Sequence, residues 1–143
     1  EDLKEKKISD YLKKKSKQSK PIIGICLGMQ LLCSSSLEYG FNEGLDIIPG
    51  KILPLKKHNI GWAKIKGVSL DVNKLDIENE YFYFNHGFYF EGQKKYISSK
   101  IHDSSCPSII KYKNNIGLQF HPEKSQLVGK KFLTNLLHGY FDD

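Results

Sequence analysis

Gly24-Ile25-Cys26-Leu27-Gly28-Met29-Gln30, preceded by Pro21-Ile22-Ile23, is the stretch whose reading decides the fold. Residues 21–25 are short, apolar and β-branched, the composition of a buried parallel strand. Leu27, Leu31 and Leu32 then recur at helical spacing. Cys26 is therefore predicted at a strand-to-helix turn, with its thiol projecting from a tight and strained backbone. Gly24 and Gly28 are expected to let strand and helix approach closely, and the helix N-terminus to favour a thiolate and supply oxyanion donors. A lone cysteine in an apolar run is more often a small buried hydrophobe, so the reading as a nucleophile needs a base.

The candidate base lies near the other end, in Gly117-Leu118-Gln119-Phe120-His121-Pro122-Glu123-Lys124-Ser125. Residues 116–120 read as another buried strand, and Pro122 keeps His121 extended. Residues two apart in an extended segment face one side. Glu123 can then accept the proton on one ring nitrogen of His121 and leave the other free to receive the thiol proton. Taken alone, His-Pro-Glu is an ordinary polar turn. Taken with the elbow, Cys26, His121 and Glu123 make a candidate triad.

Together these two stretches resemble the class I glutamine amidotransferases, and among them the glutaminase subunits of imidazole glycerol phosphate synthase in histidine biosynthesis. The likeness extends through Gly44-Leu45-Asp46-Ile47-Ile48-Pro49-Gly50-Lys51, Asn59-Ile60-Gly61-Trp62 and Tyr83-Phe84-Asn85-His86-Gly87-Phe88-Tyr89. It implies a flavodoxin-like, doubly wound α/β fold with a mixed central sheet and flanking helices. It also implies hydrolysis of L-glutamine to glutamate and ammonia through a Cys-His-Glu triad, with no cofactor and no metal. By the same resemblance the backbone N–H of Leu27 is an oxyanion donor. Gln30, Glu38, His86 and Gly87 border the substrate, Glu38 meeting its α-amino group. Trp62 and Lys124 face a (β/α)₈ cyclase partner in a heterodimer. Two positions depart from the pattern: relatives usually carry Ser or Thr at the place of Gly87, and Asn at the place of Ala63. Asn-His-Gly-Phe also resembles the small subunit of carbamoyl phosphate synthetase.

Other readings stay open beside this one. Trp62 suits a half-buried core aromatic as well as an interface, and Lys124 a solvated charge. The chain could feed ammonia to an enzyme amidating a nucleotide sugar for surface polysaccharide, or act as a silent synthase-binding module. A Cys peptidase or deglycase could use the same elbow but leaves Gln30, Glu38 and His86 unexplained.

Composition limits the alternatives. The net charge is +6, yet all 22 basic residues are lysine, so the guanidinium forks that read guanine and phosphate are absent. Residues 1–20 hold eight lysines against four acids, +4 of that total, which reads as a solvated helix end. Nucleic acid is thus not an expected partner, and because the sequence holds no long apolar segment a membrane is not expected either. Three scattered cysteines argue for a reducing, cytoplasmic setting and against a disulfide framework. Cys33, seven residues after Cys26, is expected to share its helix face; Cys33 and Cys106 are read as packing thiols.

Further strands are predicted at 51–55, 63–70, 81–90, 96–101 and 108–112, with a hairpin turn at Lys113-Asn114-Asn115. A final helix is expected to be capped by Ser125 and to bury Val128, Phe132, Leu136 and Tyr140, widened by Leu133 and Leu137. Residues 1–20 read as the helix before the nucleophile strand, whereas the family carries more strands and helices upstream. Residues 1–143 are therefore expected to form one N-terminally incomplete amidotransferase domain, lacking the loop that gives a second oxyanion donor.

Overall fold

The computed structural model describes residues 3–141, with side chains described for 5–139. It is a mixed α/β structure in which one curled sheet carries helices on its flanks. Helix α1 (Leu3–Lys17) comes first, with Lys14, Lys15 and Lys17 in its last turn, where positive charge complements the macrodipole. Strand β1 (Ile23–Ile25) follows and leads through Cys26 into α2 (Leu27–Leu32). β2 (Cys33–Ser36) and β3 (Asn42–Glu43) form a small antiparallel pair. β4 (Ile48–Lys66) and β5 (Tyr81–Glu91) form the long antiparallel pair of the molecule. β6 (Ile97–Ile101), β7 (Pro107–Tyr112) and β8 (Asn115–Leu118) complete the sheet, and α3 (Gln126–Phe141) closes the chain.

The strand order is β1-β8-β7-β6-β4-β2-β3, with β5 paired to β4. One pairing positions the site: β1 runs parallel to β8 in the register Ile23↔Ile116, Gly24↔Gly117, Ile25↔Leu118. The carboxyl ends of these two strands consequently emerge side by side, which is where open α/β sheets hold their ligands.

The aromatic core secures the second of those ends. Phe120 is fully buried, stacks on Phe82 with centroids 4.2 Å apart, and meets Phe84 and Phe132 edge-on. Burying one such ring stabilises the fold by about 2–3 kcal/mol, so the residue before His121 is firmly held. Phe132 and Leu136 come from the buried face of α3, as the helical spacing predicts. The side chain of Tyr140, the last member of that expected stripe, lies outside the described residues.

Several expectations are corrected. α2 ends at Leu32, so Cys33 is not on its face; it opens β2 opposite Ile48, fully buried. β2 escapes sequence reading because Cys33-Ser34-Ser35-Ser36 has no apolar alternation to mark it. The strands expected at 51–55 and 63–70 are one strand, β4, which ends at Lys66 and absorbs a register shift between Pro54 and Asn59. A bulge keeps a long strand continuous while bending it.

Candidate active site

Cys26 adopts φ 50° and ψ −104°, a conformation a residue with a Cβ rarely takes and one costing about 1–3 kcal/mol. Two contacts hold it there. Its N–H donates to the Leu118 carbonyl at 2.7 Å, extending the β1–β8 pairing by one bond, and its own carbonyl accepts from Gln30 N–H at 3.2 Å. The turn is possible because α2 lies directly on β1: a Cβ at Gly24 would stand 2.7 Å from the Gly28 carbonyl and the Met29 nitrogen. Gly28 differs from its expected role, since a side chain there would enter open space. Of the two flanking glycines, packing demands only Gly24.

The thiol is half-buried and donates weakly to the backbone carbonyl of Asn85 on β5, 3.8 Å away. Burial pushes its pKa up; the Leu27 N–H pulls it down, the carboxylates of Glu123 and Glu38 push it up, and the Lys124 ammonium pulls it down. The helix N-terminus does pull toward the thiolate, as expected, but burial outweighs it. α2 has six residues and turns one amide toward the sulfur. The resting group is a thiol. It needs a base to become a nucleophile.

His121 and Glu123 form the pair that the His-Pro-Glu spacing predicts. His121 Nδ1 lies 2.6 Å from Glu123 Oε1, a short bond in which the ring N–H donates to the carboxylate. That bond leaves Nε2 as the nitrogen able to take a proton. His121 keeps extended backbone angles, φ −101° and ψ 95°, before the single 3₁₀ turn Pro122–Lys124. Its side chain is 18 % exposed and that of Glu123 50 %. Electrostatics place Glu38, Glu123 and Lys124 within range of the Cys26 sulfur, and His121 within range of His86.

Gln30 is buried one turn beyond Cys26, and its Oε1 has no partner among the described residues. A buried acceptor without a donor costs about 1–3 kcal/mol until something fills it. His86 is 3 % exposed, with its ring fully engaged: Nδ1–H donates to the Phe88 carbonyl at 2.7 Å, and Nε2 accepts from Asn59 Nδ2 at 3.0 Å. Burial, with His58 and His121 nearby, lowers its pKa, so it stays neutral. It has no ring nitrogen left for a ligand. Beside it, a side chain on Gly87 would meet His58 Nδ1 at 3.0 Å, and His58 Nε2 lies 2.9 Å from Asn85 Oδ1.

Trp62 is 46 % exposed on β4 and meets Tyr83 of β5 edge-on at 6.1 Å, a half-buried aromatic on an open face. Lys124 is exposed on the turn after His121. Leu27 is 58 % exposed, with its N–H toward the sulfur. Cys33 and Cys106 are buried, and burial pushes their thiols to about 12 and about 11. Sequence reading missed His58, Asn85 and Tyr83 as neighbours of the site. Tyr83 and Asn85 lie in the 83–89 stretch that carries the resemblance but had no role assigned, and no local pattern marks His58; the β4 register shift and the β4–β5 pairing bring them there. Among the described residues no His, Cys, Asp and Glu group could hold a metal ion, and no helix is long and apolar enough to cross a membrane.

Comparison with known proteins agrees with this architecture. Residues 4–138 match the family described as glutamine amidotransferase class-I. The chain is 38 % identical over 143 residues to the imidazole glycerol phosphate synthase subunit HisH of Staphylococcus epidermidis, covering 97 % of this chain and 70 % of that protein. It is 36 % identical to the subunit of the same name from Carboxydothermus hydrogenoformans, covering 94 % of this chain and 70 % of the relative. A glutamine amidotransferase crystal structure from Thermotoga maritima superposes with TM-score 0.65 at 20 % identity, over 96 % of this chain and 54 % of that one. The chain thus spans about half the length of that structure and 70 % of those two relatives. With the family pattern running through nearly the whole of it, this chain belongs to the class-I glutamine amidotransferases.

Proposed function

We propose that the chain is a glutaminase subunit that hydrolyses L-glutamine and passes the ammonia to a (β/α)₈ cyclase partner making imidazole glycerol phosphate in histidine biosynthesis. The observation that carries the reading is the β1–β8 register, which sets the strained Cys26 elbow beside the His121–Glu123 pair. The names of the relatives supply the pathway.

In this reading His121 Nε2 takes the Cys26 proton as the sulfur attacks the side-chain carbonyl carbon of glutamine. The Leu27 N–H faces the oxyanion that forms. The intermediate collapses, ammonia leaves with the proton held on His121, and a glutamyl thioester remains on Cys26. Water then gives a proton to His121 and attacks the thioester; the thiol is regenerated and glutamate departs. Glu123 holds the ring tautomer through both halves. Deprotonation requires the thiol to leave the Asn85 carbonyl, which makes Asn85 a resting acceptor for the sulfur. The unpaired Gln30 Oε1 accepts from the bound glutamine, the Glu38 carboxylate meets its ammonium, and the backbone at His86 and Gly87 lines the pocket. Trp62 and Lys124 face the partner.

The test is glutamate release by the chain mixed with the cyclase subunit, glutamine and the cyclase's phosphoribosyl substrate, with Cys26→Ala in parallel. Glutamate formed only when Cys26 is present supports the reading. Tight binding of the cyclase without turnover would leave a silent binding module, and turnover only with a nucleotide-sugar amidating enzyme would change the acceptor.

A further inference from the structure

Ser125 stands where a helix cap is expected, immediately before α3, yet its hydroxyl does not serve that helix. It is fully buried; Oγ donates to the His121 carbonyl at 2.6 Å and accepts the Tyr83 N–H at 2.9 Å. The Tyr83 carbonyl in turn accepts the His121 N–H at 2.9 Å. Both main-chain polar groups of His121 and both of Tyr83 are thereby joined in one closed ring of three hydrogen bonds, with the serine hydroxyl as the only side-chain member. We propose that Ser125 is a positioning residue for His121, clamping the base to β5 so that its imidazole is held on Glu123 beside the Cys26 elbow.

The clamp is assembled from local sequence. Pro122 keeps His121 extended, and the 3₁₀ turn Pro122–Lys124 brings Ser125 back to the carbonyl four residues earlier. α3 then seals the turn: a Cβ at Gly129 would fall 2.0 Å from the Pro122 carbonyl oxygen and 2.7 Å from Ser125 Cβ, so the helix backbone rests directly on it. Phe120, anchored in the aromatic core, fixes the other side. With its backbone held at both peptide groups, His121 retains only side-chain torsions, and the 2.6 Å bond to Glu123 fixes those. An alanine at 125 would leave the Tyr83 N–H without its acceptor and the His121 carbonyl with only the Lys124 N–H at 3.1 Å, opening the ring that ties the loop to β5. A displacement of about 1 Å in a catalytic group costs on the order of 10²-fold in rate.

The inference rests on His121 acting as the base, and its test separates the two ideas. By proton NMR of the full chain, the hydrogen-bonded Nδ1–H of His121 should give a low-field signal that Glu123→Gln removes. Ser125→Ala should broaden or shift that signal while far-UV circular dichroism stays unchanged. Should Ser125→Ala fail to fold, Ser125→Cys, similar in size but a weak donor, is read in the same way. In the glutaminase assay with the partner, Ser125→Ala should lower kcat by about 10- to 100-fold with KM within about 3-fold. In a His121→Ala background it should have no further effect. An unchanged low-field signal in the folded variant, or a loss of rate that multiplies with that of His121→Ala, would overturn the clamp. Failure of the unsubstituted chain to release glutamate would sink the proposed reaction and leave the NMR result to decide the clamp.

Discussion

The proposed nucleophile and the proposed base are presented by the same device, a short buried strand running into a turn, but the two turns are secured differently. Cys26 sits at the end of a three-residue strand whose described partner is β8 alone, on a strained backbone, before a six-residue helix. Its thiol makes one long bond and titrates above its ordinary value. His121 follows a fully buried phenylalanine, is bonded through both peptide groups, and lies under a sixteen-residue helix. His121 is preorganised by these bonds, whereas Cys26 rests as a neutral thiol. A raised thiol pKa limits stray reactivity, and of the two carboxylates that help raise it, Glu123 also holds the His121 ring.

The largest expected effect comes from removing the sulfur. Cys26→Ala should reduce glutamate release by roughly 10⁴-fold or more, since nucleophile loss removes the whole covalent route, while urea unfolding stays close to that of the unsubstituted chain. Next comes the seal over the base: Gly129→Ala should lower kcat by roughly 10²-fold and destabilise by about 1–3 kcal/mol, because the new methyl collides with main-chain oxygen. On the nucleophile side the two glycines should part company. Gly24→Ala forces β1 from α2 and should cost about 1–3 kcal/mol in urea unfolding. Gly28→Ala meets nothing and should be neutral or stabilising by up to about 1 kcal/mol. Equal losses at both positions would show that the strand-on-helix contact is misassigned.

The smallest effect is on proton affinity. Alkylation by iodoacetamide reads the thiolate, so a raised pKa means that labelling of Cys26 climbs only as pH passes above the ordinary thiol value. Glu123→Gln and Glu38→Gln each remove a carboxylate that opposes the thiolate and should move that midpoint down. Lys124→Ala removes a supporting cation and should move it up. Cys33 and Cys106, pushed to about 12 and about 11 by burial, should stay unlabelled until the chain is unfolded.

These contrasts also mark where the sequence was readable. The elbow was legible because an apolar run, a cysteine and a helical repeat meet there, and the base because Pro122 fixes its neighbour. β5 and α3 announced themselves by length and periodicity. The Ser-rich β2 did not, and the single long β4 looked like two strands because its bulge interrupts the pattern. The net direction of the Cys26 shift was not legible because desolvation depends on what packs around the turn, which local sequence does not reveal. Ser125 was visible as a cap and not as a clamp; its acceptor role is taken by a strand amide 42 positions away.

The most direct measurement is intact-mass labelling with a glutamine-like chloroketone. The account predicts a single adduct, located on Cys26, slowed by added glutamine, lost in Cys26→Ala and weakened in His121→Ala. Labelling shared among the three cysteines, or labelling of Cys26 that glutamine does not slow, would contradict it.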